Sequence, residues 1–170
     1  MKYGLLIEQY LLGPEILRRA VSGMSDEQLD ARPIPGKWST RDVVMHLADF
    51  DLIYAGHMKR VIAEDRPTLS DPDADLFASR LAYDKRDVDE DIWLMKAIRR
   101  HMAPILRTID ADDFMRVGMH SEEGPLSLGE LLERVTDHIP HHVRSIEEKR
   151  RALDVGGIEM PLHMAGVGIR

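Results

Sequence analysis

The stretch LGELLERVTDHIPHHVRSIEEKRRAL, Leu128 to Leu153, decides how this chain is read. Apolar residues recur at Leu128, Leu132, Val135, Ile139, Ile146 and Leu153, in the steps of three and four that a core-facing helical stripe requires. Where that stripe calls for another apolar side chain, the sequence has His142, with His138 one turn earlier. Residues four apart share a helix face, so both imidazoles point toward whatever the helix packs against. Two imidazoles so placed make half of a metal site, which needs at least a third ligand from elsewhere.

The candidate third ligand lies in STRDVVMHLADFDLIYAGHMKRVIAED, Ser39 to Asp65. Ser39 followed by Asp42 has capping-box form, and Val43, Leu47, Phe50, Ile53, Tyr54 and Val61 make the apolar face. His46 falls within that face. Three histidines on the inner faces of two helices are costly as plain core filling. Each buried imidazole needs its own hydrogen-bond partner, and each one left unpaired costs roughly 1–3 kcal/mol.

PGKWSTRDVVMHLADFD, followed much later by LSLGELLERVTDHIPHHVRSI, resembles the DinB/YfiT-like superfamily. Its members are four-helix bundles with one histidine on the second helix and an H-x-x-x-H pair on the last. The resemblance runs from the first helix to Leu153, and implies His46, His138 and His142 as ligands of a divalent metal. Pro140 departs from the pattern. It removes a backbone donor, clashes with the carbonyl of Thr136 and biases Ile139 away from helical angles, so a kink or local widening is expected. His141 then becomes an alternative ligand; the apolar stripe favours His142.

Around these two segments the expectation is an all-α four-helix bundle in one domain over residues 1–154, with a tail or arm at 155–170. The first helical region spans residues 2–24, broken or kinked at Gly13-Pro14. Ser25 to Gln28 suggests a short capped turn. Residues 64–84, polar and acidic with Pro67 and Pro72, read as a long crossover loop between the second and third helices. Asp71, Asp73 and Asp75 lack the glycine and closing glutamate of a calcium loop, so a solvated acidic loop is expected. The third helix runs from about Asp87 to Ile109 and bends at Pro104. Residues 110–127 read as a charged, glycine-bearing connection, with no sheet of consequence.

The 170-residue chain is 44% hydrophobic but only 5% aromatic, and its ten methionines are expected to fill irregular core space. A net charge of −7 argues against a nucleic-acid footprint. There is no cysteine, no visible secretory signal and no apolar run of membrane-spanning length. The expectation is therefore a cytoplasmic protein with no membrane partner; the metal-site reading adds a small-molecule substrate, and the long apolar faces and the tail suggest a homodimer.

Three neutral imidazoles leave a coordination position open, as catalytic sites do, and suit zinc, nickel or iron. The chemistry expected is activation of water or of a thiol. The resemblance implies a low-molecular-weight thiol as cosubstrate, hence a transferase or a hydrolase. Against this stand a non-catalytic metal-binding protein and a metal-free dimer with core histidines. Among the other histidines, His57 reads as a hydrogen-bonded packing residue, and His101, His120 and His163 as surface residues. Asp49 reads equally as a group orienting an imidazole or an exposed charge, and Trp38 as packing on the bundle end.

Overall fold

The computed structural model describes residues 2–155; most of the expected C-terminal arm lies outside them. Four long helices carry the fold: α1 Lys2–Val21, α3 Thr40–Ala63, α5 Val88–Arg107 and α6 Leu128–Ala152. Short helices α2 Asp26–Asp30 and α4 Ala74–Arg80 lie in the connections. Packing is pairwise around a square: α1 and α3 each lie against both α5 and α6. Capping boxes at Ser25, Ser39 and Ser127 start α2, α3 and α6, each serine accepting from the backbone three residues on. The methionine expectation holds, with Met45, Met58, Met95 and Met102 fully buried.

The expected break at Gly13-Pro14 does not occur. Pro14 lies inside a continuous α1 because a side chain replaces the amide that proline lacks. In a helix the carbonyl of Tyr10 would accept from residue 14; here it accepts from Arg99 Nη1 at 2.8 Å. Gly13 makes the approach possible, since a Cβ there would sit 2.3 Å from that nitrogen. Likewise α6 runs through Pro140 without interruption.

The connections hold more structure than their composition suggests. The 64–84 crossover contains strand β1 Thr68–Leu69, α4 and a 3-10 turn at Tyr83–Lys85. Residues 110–127 contain a second 3-10 turn, Ala111–Met115, and a hairpin of β2 Val117–His120 with β3 Gly124–Ser127. β1 joins β2 in parallel, giving a three-stranded sheet in place of the expected plain connection. Leu69 and Leu126 bury their side chains with Val61 of α3, so the sheet closes one end of the bundle. Gly118 is required there, because a Cβ would meet Leu69 Cδ1 at 2.5 Å.

Candidate metal centre

His46 stands on α3 seven residues beyond its cap, and His138 and His142 stand one turn apart on α6. The two helices pack against each other, and the three imidazoles converge. His138 Nε2 lies 3.2 Å from His46 Nε2 and 3.1 Å from His142 Nε2. One atom from each of the three rings lies within 4.8 Å of the others, close enough to share a metal ion. His46 is buried, its paired rings half-buried, and His141 is exposed, as the stripe predicts. The 3.1 Å contact means that His138 and His142 still face each other across Pro140.

Hydrogen bonding among the rings does not satisfy them. His138 Nε2 carries either a proton or a lone pair, so its two close neighbours are served together only if both donate to that one lone pair. His46 Nδ1 is buried without any partner. Burial holds the imidazoles neutral: it pulls His46 down to about 4 and His142 to about 3, the latter with like-charge neighbours adding. His138 is lowered furthest, by burial and then by His142 and His46. Neutral rings with converging lone pairs are what a cation needs. At the 2.0–2.1 Å of a zinc–imidazole bond, the edge of a tetrahedron is about 3.3 Å. The two separations from His138, 3.2 and 3.1 Å, fit that spacing.

Aromatic rings wall the cluster. Trp38 meets His46 edge-on at 5.1 Å and Phe50 lies 4.4 Å from it. Trp38 thus packs at the bundle end as expected, and its Nε1 donates to Asp75 at 3.2 Å. Beside His138 opens a cavity of about 460 Å³, lined by Phe50, Tyr54, Val135, Arg134, Glu123 and Asp137 among others.

Asp49 does neither of the things its position suggests. It is buried and accepts from the Tyr83 hydroxyl at 2.8 Å and from Arg86 through both oxygens at 3.0 Å. Its charge still reaches His46, partly offsetting the effect of burial there. His120 corrects the surface expectation. It is buried, its Nδ1 accepts from the amides of Glu122 and Glu123, and its Nε2 faces Asp71 Oδ2 at 3.5 Å. His57 is buried as a packing residue would be, yet its Nδ1 has no partner and lies 3.9 Å from Asp71 Oδ1. Asp71 is accordingly half-buried rather than part of a solvated loop, and Tyr54 donates to it at 3.5 Å. The signal missed was the alternation of β2, which turns Gly118 and His120 inward. His101 is exposed, and His163 lies outside the described residues.

The profile of the DinB superfamily matches residues 9–146. This chain belongs to the DinB superfamily. Among its DinB relatives, a protein of Oceanobacillus iheyensis is 28% identical over 133 residues, covering 78% of this chain and 77% of its own length. A second, from Geobacillus thermodenitrificans, is 27% identical over 139 residues, covering 81% and 78%. Both bear the name "Putative metal-dependent hydrolase". The structure of YfiT from Bacillus subtilis superposes with a TM-score of 0.85 at 25% identity, covering 90% of this chain and 88% of that one. It is described as "a probable metal-dependent hydrolase with an unusual four-helix bundle topology". No helix among the described residues is long and apolar enough to cross a membrane.

Proposed function

We propose that His46, His138 and His142 hold one divalent metal ion and that the protein is a metal-dependent hydrolase of small molecules. The observation that carries this is the meeting of three neutral, under-partnered imidazoles, His138 at 3.2 Å from His46 and 3.1 Å from His142, beside an open cavity. The names of the relatives support the same reading. Zinc, nickel and iron all accept such a donor set. A divalent ion there supplies Lewis-acid activation of a water or thiol at neutral pH.

The chain's own residues do the rest. α3 and α6 fix the rings on two rigid walls, and the capping box at Ser39 fixes the start of α3. Trp38 and Phe50 pack against the His46 ring, Phe50 from the cavity wall. Lowered basicity keeps the donors unprotonated well below neutrality. The cavity beside His138 gives a substrate one approach, against Phe50 and Val135.

The test is metal analysis of untagged protein, then a screen of ester, amide and lactone substrates with and without a small thiol. One equivalent of metal and metal-dependent hydrolysis are expected. Turnover only when the thiol is present, with the thiol found in the product, would replace hydrolase by the thiol-transferase reading. Absence of metal in the purified and reconstituted protein would end both.

A further inference from the structure

The cavity contains a cation for which metal ligation has no use. Arg134 precedes His138 by one turn on α6, placing its guanidinium in the same cavity, roughly 6 Å along the helix axis. On α3, Phe50 and Tyr54 follow His46 at successive turns toward the same end. The cavity thus runs from His138 and His141, past Phe50 and Val135, to Arg134 and Tyr54.

Arg134 is held by Glu123 from the β2–β3 turn, Nη1 to Oε1 and Nη2 to Oε2. Two parallel bonds of this kind are how guanidinium takes any carboxylate. The side chains are 37% and 44% exposed, so both are open to solvent and to an incoming anion. Asp137 also lines the cavity, and Asp71 stands behind the Tyr54 hydroxyl. A free anion therefore meets an acidic wall unless it takes the place of Glu123. Binding is by exchange.

We propose that the cavity takes a small substrate bearing a carboxylate, which displaces Glu123 from Arg134. Its apolar body lies along Phe50, Tyr54 and Val135, and its other end reaches the three imidazoles. That last placement rests on the metal reading; the carboxylate site itself does not. At about 460 Å³ the space suits a single ring or short chain.

Benzoate and its neutral counterpart benzamide are the probes, titrated calorimetrically into metal-stripped and zinc-loaded full-length protein. Benzoate is expected to saturate the metal-stripped protein, with benzamide at least about tenfold weaker because it lacks the charge. Arg134→Gln should weaken benzoate by about tenfold or more, while Glu123→Gln tightens it about threefold by removing the competitor. Both side chains are partly exposed, and thermal unfolding checks that each variant is folded. Equal binding of benzamide, no effect of Arg134→Gln, or no saturable benzoate binding would each overturn the proposal. So would benzoate binding that needs zinc and disappears with His142→Ala, since the carboxylate would then sit on the metal. Zinc stoichiometry on the same samples separates the two ideas. Protein that takes no zinc yet binds benzoate through Arg134 keeps the carboxylate site and loses the metal.

Discussion

Arg99 and Asp51 are fully buried in the bundle, the three histidines less so at the edge of a cavity, and the polar atoms of the two clusters are treated quite differently. Arg99 Nε and Nη2 donate to the two oxygens of Asp51 at 2.6 and 2.8 Å. Nη1 serves the carbonyl of Tyr10 at 2.8 Å, Nη2 also serves that of Val135 at 3.1 Å, and the guanidinium lies over the Tyr10 ring. Charge meets opposite charge, and the freed backbone of α1 is used as well. At the histidines, like meets like, and His46 Nδ1 has nothing. A saturated polar cluster ties helices together. An unsaturated one at the edge of a cavity lacks a partner, which a cation would supply under the proposed function.

The largest effect is expected where the saturated cluster is broken. Arg99→Met strands the Asp51 carboxylate and the Tyr10 carbonyl in the core, and should cost about 3–5 kcal/mol in denaturant unfolding. The double variant Arg99→Met/Asp51→Leu should recover much of that, because no charge is left unpaired. A single variant as stable as the parent would mean the pair is not what joins α1, α3 and α5.

Next comes the histidine cluster. Zinc at a hundredfold excess over its dissociation constant should stabilise the parent by about 2.7 kcal/mol, read as a rise in Tm. His138→Ala should abolish that rise. In metal-free protein it should cost less than Arg99→Met, since it breaks no saturated network. A zinc-dependent rise surviving in His138→Ala would erase the contrast between the two clusters.

Acid sharpens the same contrast. The three imidazoles titrate below their unfolded value of about 6.5, His46 at about 4. Between those limits the unfolded chain binds more protons than the native one. Metal-free stability should therefore be full above about pH 6.5 and fall as pH drops toward 4, by about 1.4 kcal/mol per unit for each such group. Equilibrium unfolding across that range measures the slope. His138→Ala/His142→Ala should flatten it; an unchanged slope would assign the loss to other groups.

Much of this was legible in the sequence because period and spacing carry it. The stripe through α6 favoured His142 over His141 as the inward residue, and the helical periods placed the four long helices. The rest depended on tertiary partners. Gly13-Pro14 reads as a break until Arg99, far along the chain, takes the Tyr10 carbonyl. Nothing in the sequence around Arg99 marks it as buried, and it is fully buried. The hairpin at residues 117–127 is too short for alternation to stand out, so His120 and its neighbour Asp71 were read as surface groups. Asp49 had the right spacing to serve His46 but found Arg86 from another segment.

The smallest expected effect tests the register that Pro140 put in question. His141 is exposed, and its ring stands perpendicular to that of His142 at 5.2 Å, outside the cluster of three. Its charge only adds to the lowering of His138 and His142. His141→Ala should keep one equivalent of zinc and stay within about 0.5 kcal/mol of the parent, as exposed substitutions do. His142→Ala should lose the zinc, because the 3.1 Å approach to His138 goes with it. Isothermal titration with zinc on both variants decides. If the metal leaves with His141 and stays without His142, α6 is wound differently around Pro140 in solution, and the ligand pair is three residues apart rather than four.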